Sequence, residues 1–308
     1  MVMKRRNFLK TALGGGLVLA TGANSASAST QEKLPPKAVG ILYDSNLCIG
    51  CQACMSACKE ANDMPAEFIG DQRIWDNPTG LSSKTLNIIK MHKEGNEINY
   101  VKKQCMHCNE PACVNACPVS AMQKDKQTGI VTYDKNACLG CRYCQIACPY
   151  NVPKFEWEDP FPRLYKCQLC DHLLKKGDYS ACCSACPTGA SLFGPVKKLK
   201  KEAKRRLQMT PGKTYKFPVN HIEKKQTVTH EAKQYVQHIY GAEELGGSQC
   251  MLLAGTDFQN LGFPDLRDKS YVSDLHGISK GLYKYMLYPV AALAGLIYLA
   301  KRREDHEE

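Results

Sequence analysis

Cys138, Cys141, Cys144 and Cys148, in the run CLGCRYCQIACP, stand at the spacing C-x2-C-x2-C-x3-C-P. That spacing is the signature of a 4Fe–4S cube loop. Three thiolates two residues apart can wrap three corners of one cube. The fourth is expected to begin a helix that leads away and so to ligate a second cube, with Pro149 suiting that helix start. A zinc site favours paired C-x2-C motifs, not four cysteines in one run with a trailing proline.

Three more sets accompany the run. Cys48, Cys51, Cys54 and Cys58 repeat its cysteine spacing. Cys105, Cys108, Cys113 and Cys117 give C-x2-C-x4-C-x3-C-P, and Cys167, Cys170, Cys182 and Cys186 give C-x2-C-x11-C-x3-C-P. Sixteen of the 18 cysteines fall into these sets, which implies four 4Fe–4S clusters.

The elements that hold the sets show an internal repeat. Tyr43, Asp44, Asn46, Cys48, Gly50, Cys51, Cys54, Ala57 and Cys58 recur 90 residues later as Tyr133, Asp134, Asn136, Cys138, Gly140, Cys141, Cys144, Ala147 and Cys148. Ala116-Cys117-Pro118 and Ala121 match Ala185-Cys186-Pro187 and Ala190. The second and third sets are thus nested between the first and fourth. Gly50 and Gly140 are expected to let the backbone approach a cube closely. Ala38–Tyr43 reads as a strand entering the first loop. The insertion 59–104 reads as a β-hairpin of Thr85–His92 and Glu97–Lys103 around Glu94-Gly95-Asn96. A short hairpin ending in Gly129–Tyr133 precedes the third set, and 149–166 reads as an irregular connector. Trp75 and Trp157 read as packing residues, not redox relays.

At 308 residues the chain has room for about two domains. Its formal charge of +11 is misleading. Sixteen thiolates around four cubes of core charge about +2 add roughly −8. Removal of a leader takes away Lys4, Arg5, Arg6 and Lys10. The holoprotein is then near neutral, which gives a nucleic-acid partner little support.

That leader is residues 1–28. Lys4-Arg5-Arg6-Asn7-Phe8-Leu9-Lys10 resembles a twin-arginine signal, although Lys4 stands where Ser or Thr is usual. The apolar stretch Ala12–Ala20 is mild, and Ala26-Ser27-Ala28 suits cleavage. Clusters are inserted in the cytoplasm, so a route that exports folded protein fits the cofactor. At the other end, Tyr285–Ala300 is an apolar run followed by Lys301-Arg302-Arg303. With Leu282, Tyr283 and a snorkelling Lys284 it nears the length of a membrane span, 282–300, with 301–308 as a cytoplasmic tail. Pro289 should bend that helix. In Lys197–Arg206, seven of ten residues are basic. This reads either as a solvated helix or as a contact for anionic lipid or an acidic partner face. The stretch 207–280 carries no motif and is expected to wrap over a partner.

Cys183 and Cys250 stand outside the sets and read as small buried side chains. Cys183 could pair with Cys186 as C-x2-C, but only Cys182 gives the x3 spacing. His107, inside the second set, reads as a neighbour that tunes potential, not as a ligand. No residue reads as catalytic: no acid, base or nucleophile is set in a site. No C-x-x-C-H occurs, so c-type haem is not indicated.

Together these features resemble the four-cluster ferredoxin-like electron-transfer subunits of membrane-bound oxidoreductases. The resemblance covers residues 38–195, with 196–281 as an extension. It rests on ACKEAN at 57–62, QCMHCNEPACVNACP at 104–118, ACPYNVPKFEW at 147–157 and ACPTGA at 185–190. That family includes the β subunits of formate dehydrogenase and dimethyl sulfoxide reductase. Its own signal and single C-terminal helix make the chain similar to the HybA-type subunits of periplasmic nickel–iron hydrogenases. Cys183 stands where an apolar residue is usual.

The resemblance implies an α+β fold: two ferredoxin-like modules, one nested in the other, with a C-terminal transmembrane helix. It implies that the first three cysteines of each set take their fourth from another. Those clusters are Cys48, Cys51, Cys54 and Cys186; Cys167, Cys170, Cys182 and Cys58; Cys105, Cys108, Cys113 and Cys148; and Cys138, Cys141, Cys144 and Cys117. It implies a non-catalytic relay on the periplasmic side of the inner membrane. Electrons would pass from hydrogenase large and small subunits to an integral membrane quinone-reactive subunit. The alternatives are a β subunit of a molybdenum or tungsten enzyme, which neighbouring genes would reveal, and an exported disulfide-held structural protein. A brown, oxygen-sensitive protein with about sixteen irons would exclude the last.

Overall fold

The structure, a computed structural model, describes residues 34–67, 78–157 and 162–272, with 293 and 295–297. Along the chain run β1 (Val39–Asp44), α1 (Ala53–Ala61), the hairpin β2 (Ile88–Glu94) and β3 (Glu97–Lys103), α2 (Ala112–Asn115), and the hairpin β4 (Met122–Lys124) and β5 (Val131–Tyr133). Then come α3 (Tyr143–Ala147), β6 (Lys154–Phe155), β7 (Leu164–Tyr165), α4 (Asp171–Leu174), α5 (Ala181–Ser184), β8 (Ser191–Pro195) and α6 (Val196–Leu207). Strands β9 (Thr214–Pro218), β10 (Asn220–His221), β11 (Thr227–Glu231) and β12 (Cys250–Leu253) complete it.

Period-two alternation builds the central sheet, whose order is β10-β8-β1-β12. On one face Ile41, Tyr43, Phe193, Cys250 and Leu252 are buried with cysteines of the first and fourth sets. On the other, Leu42, Leu192, Met251 and Leu253 pack against Val196, Leu199 and Ala203 of α6. One face therefore serves the cysteine loops and the other is sealed by a helix. β8 runs antiparallel to β1, and β12 runs parallel to it.

The β2–β3 hairpin forms as expected, with Glu94 paired to Glu97 across Gly95-Asn96. Its first strand starts at Ile88, not Thr85. The short hairpin before the third set is β4–β5. The connector 149–166 contains a small pairing, β6 with β7. Trp157 is largely exposed, with the Arg142 guanidinium 4.0 Å from its ring centre, and Trp75 lies outside the described residues.

Three expectations are corrected. Cys148 does not begin a helix: it caps the C-terminus of α3, and Pro149 follows the helix end. The helical turn lies between the third and fourth cysteines of a set. The stretch after α6 is not a mere extension, because β10 and β12 join the central sheet. A parallel neighbour for β1 needs a long connection, and the chain from 45 to 249 supplies it. Lys197–Arg206 is helical, as both readings required, but it is not wholly solvated: Arg206 is fully buried.

The described body belongs to one unit, Gln31–Leu275. A second unit comprises Met1–Thr30 and His276–Glu308, and both the leader and the apolar C-terminal run lie there, outside the described residues except for 293 and 295–297. Among the described residues no helix is long and apolar enough to cross a membrane.

Candidate iron–sulfur centres

None of the eighteen cysteines is joined in a disulfide. Burial raises the pKa of most, to about 12 for Cys54, Cys58 and Cys113 and about 11 for Cys144. The next raising cause for each of these four is another cysteine, and these neighbours group the thiols. Cys48 feels Cys186 and Cys51, and Cys54 feels Cys48 and Cys186. Cys58, Cys167 and Cys170 all feel Cys182. Cys108 feels Cys105, Cys148 and Cys113. Cys144 feels Cys138, Cys141 and Cys117.

Between groups, Cys54 feels Cys182, Cys167 feels Cys105, and Cys113 feels Cys144. Taken in order, these couplings link the four groups end to end. The end members contain Cys51 and Cys141, the two exposed cysteines. Helical geometry explains the closeness. The third and fourth cysteines of a set are four residues apart across one turn, where Cβ atoms lie about 5–6 Å from each other.

The repeat extends to single hydrogen bonds. Asp44 N donates to Ala190 O at 2.8 Å, and Asp134 N donates to Ala121 O at 2.8 Å. The first set is thereby tied to the fourth as the third is to the second. Ser191 N donates to Cys186 Sγ at 3.3 Å, and Met122 N to Cys117 Sγ at 3.5 Å, each five residues beyond its cysteine. In all four loops the residue before the second cysteine is left-handed: Gly50 (φ 70), His107 (φ 48), Gly140 (φ 69) and Leu169 (φ 53). A non-glycine residue there is strained by roughly 1–2 kcal/mol, so the surrounding structure must enforce the turn. Val131 N donates to His107 Nδ1 at 3.0 Å, which fixes that ring with its proton on Nε2. Burial and then Lys166 hold His107 well below the usual imidazole pKa, hence neutral. Gly50 has a second reason to be glycine: a Cβ there would stand 2.4 Å from the Tyr100 ring.

Cys182 and Cys183 are distinguished electrostatically. A hydrogen bond from Cys183, then the charge of Lys102, pulls Cys182 well below the usual thiol pKa. Burial and the neighbouring Cys182 push Cys183 well above it. Cys183 and Cys250 are both buried, as their lone positions suggested. Sequence reading missed two lysines, each 2% exposed. Lys102 donates to Ser191 Oγ at 3.4 Å, and Lys166 donates to Cys167 O at 3.0 Å and to Val131 O. Burial works against the charge on Lys102, but Cys182, Cys54 and Cys183 outweigh it and raise its pKa. Neither lysine lies in an apolar-periodic or motif position, so only the tertiary fold shows them.

Sixteen soft thiol donors in four sets of four fit 4Fe–4S cubes. Among the described residues no three of His, Cys, Asp and Glu are gathered closely enough to hold one metal ion.

A model of the 4Fe–4S dicluster domain matches residues 40–118, and a second matches 96–196. The chain is 42% identical to the hydrogenase-2 operon protein HybA of Escherichia coli O157:H7, over 99% of this chain and 98% of that protein. It is 30% identical to the iron–sulfur subunit of the nitrate-inducible formate dehydrogenase of Escherichia coli K12, over 92% and 91%. With the formate dehydrogenase iron–sulfur subunit of Haemophilus influenzae it shares 36% identity, over 82% and 75%. The nested cysteine groups, the two dicluster matches and the end-to-end likeness agree: the chain belongs to the family of HybA-type iron–sulfur subunits.

Proposed function

We propose that the chain relays electrons from a nickel–iron hydrogenase, oxidising hydrogen outside the cytoplasm, to a membrane partner that reduces quinone. The observation that carries this reading is the end-to-end linking of four thiol groups, with an exposed cysteine in each end group. A storage or regulatory site needs one accessible cluster, whereas a conductor needs two. When bound, the cubes supply one-electron transfer. The third and fourth cysteines of each set stand one helical turn apart and would hold two cubes as neighbours, and Cys58, Cys167, Cys170 and Cys182 are all buried.

The ligand sets are Cys48, Cys51, Cys54 and Cys186; Cys58, Cys167, Cys170 and Cys182; Cys105, Cys108, Cys113 and Cys148; and Cys117, Cys138, Cys141 and Cys144. The paired bonds Asp44–Ala190 and Asp134–Ala121 support two dicluster modules, one nested in the other. The twin-arginine-like leader supports export after cluster insertion, and the apolar run before Lys301 supports a single anchor.

Likeness to formate dehydrogenase subunits favours a second reading, a β subunit serving a molybdopterin enzyme. One experiment separates them. The chain is purified by a tag from its native membrane, and the copurifying catalytic subunits are identified. Hydrogen is then tested against formate as reductant while the iron–sulfur absorbance is followed. Bleaching by hydrogen with a nickel–iron subunit present supports the hydrogenase role. Bleaching by formate alone replaces it with the second reading.

A further inference from the structure

Lys102 and Lys166 are crossed with respect to the cysteine sets. Lys102 stands three residues before Cys105, yet the charges that raise its pKa most are those of Cys182 of the fourth set and Cys54 of the first. Lys166 stands one residue before Cys167, yet its charge lowers the pKa of Cys113 and Cys148. Among the described residues neither has a carboxylate in ion-pair range. A buried ammonium with no counter-charge is strongly unfavourable. Cluster-bound thiolates would be the anions at hand, and the charge of Lys102 lowers the pKa of Cys54, Cys58, Cys170 and Cys182, on both sides of the junction between two groups. Its remaining contact, Ser191 Oγ, belongs to the residue whose N–H donates to Cys186 Sγ.

Resting on the four-cluster reading above, we propose that Lys102 sets the reduction potentials of the two cubes that flank it, the one on Cys48, Cys51, Cys54 and Cys186 and the one on Cys58, Cys167, Cys170 and Cys182. The sign follows from charge. Each oxidised cube with four thiolates carries about −2, and one added electron makes it about −3. A fixed positive charge favours the more negative form, so it raises the potential. Lys102 therefore keeps this half of the line easier to reduce than the same cubes would be beside a neutral side chain. It is a positioning charge between two carriers and takes up no electron itself.

The test is potentiometric titration of the purified holoprotein, with each cube followed by its paramagnetic resonance signal, in wild type, Lys102→Met, Lys102→Gln and Lys102→Arg. Cys51→Ser and Cys141→Ser holoproteins identify which signals belong to each half. In a neutral variant with full iron, the reduced-to-oxidised ratio at fixed potential should fall at least tenfold for the flanking cubes. That is ~59 mV for one electron. The cube of Cys138, Cys141 and Cys144 should not move, and Lys102→Arg should keep the wild-type values. Unchanged potentials in an iron-replete neutral variant overturn the proposal. So do an equal shift of all four cubes, a downward shift in the arginine variant, or loss of iron from both neutral variants, which would make Lys102 a scaffold residue. Failure of wild type to show four clusters would instead remove the four-cluster reading itself.

Discussion

Replacing Arg206 by Met should loosen the entrance to the first cysteine loop, although Arg206 lies more than a hundred residues away in a run of basic side chains. Arg206 and Asp44 are both 0% exposed, and Arg206 Nη1 donates to Asp44 Oδ2 at 2.9 Å. Arg206 Nε also donates to Glu202 Oε1 at 2.9 Å, and the guanidinium lies 5.2 Å from the centre of the Phe217 ring. Burial pushes the Glu202 carboxyl up, but hydrogen bonds from Arg205 and the charge of Arg206 outweigh it and hold it below the usual range. Asp44 in turn accepts from Asn46 N at 3.0 Å and caps the short turn Ser45–Leu47 that delivers Cys48. Removing one partner of a buried pair costs about 3–5 kcal/mol. The low end applies here, because Tyr235 Oη still donates to Asp44 at 2.8 Å. Unfolding of a cluster protein is not a reversible two-state process, so the readout is a rate. If the whole ~3 kcal/mol falls on the unfolding barrier, iron release at fixed urea, followed by loss of visible absorbance, accelerates about 10²-fold. Asp44→Asn combined with Arg206→Met removes both charges and should recover most of the loss. A single variant within threefold of wild type, or a double variant no slower than the single one, would refute this reasoning.

Three further outcomes are expected. Cys183→Ala should keep about sixteen irons and Cys182→Ala should lose about four, by iron assay, because Cys182 is the thiolate facing Cys58 and Cys170. Arg5→Lys with Arg6→Lys should leave a folded, cluster-bearing precursor in the cytoplasm, checked by fractionation; normal export would exclude the twin-arginine route. Deleting residues 282–308 should leave every cysteine set intact and detach the body from the membrane. Hydrogen-dependent dye reduction should then survive while quinone reduction falls; a truncated chain that stays bound and reduces quinone normally would exclude the helix as anchor.

The cysteine spacings and the 90-residue repeat made the sites legible, because a cube constrains the chain over a dozen residues at a time. Strand β1 and both hairpins were legible for the same local reason: alternation and turn residues lie close in sequence. The place of β12 was not, since a four-residue strand pairing across two hundred residues leaves no local mark. The helix between the third and fourth cysteines was misplaced because the proline reads equally well as a start or a stop. The left-handed turns at His107 and Leu169 were hidden because neither residue type advertises that conformation, as Gly50 and Gly140 do. Arg206 was hidden by composition: among seven basic residues, periodicity alone did not single out the one that turns inward.

The central claim is that each cube borrows its fourth cysteine from another set, and Cys148 tests it most directly. Resonance spectra of iron-loaded Cys148→Ser, Cys108→Ser and Cys141→Ser holoproteins are compared under one set of conditions. If Cys148 serves the cube of Cys105, Cys108 and Cys113, its spectrum loses the signal lost in Cys108→Ser and keeps the one lost in Cys141→Ser. Loss of the Cys141 signal instead would show that the third set closes on itself, and the line of exchanged cubes would not stand.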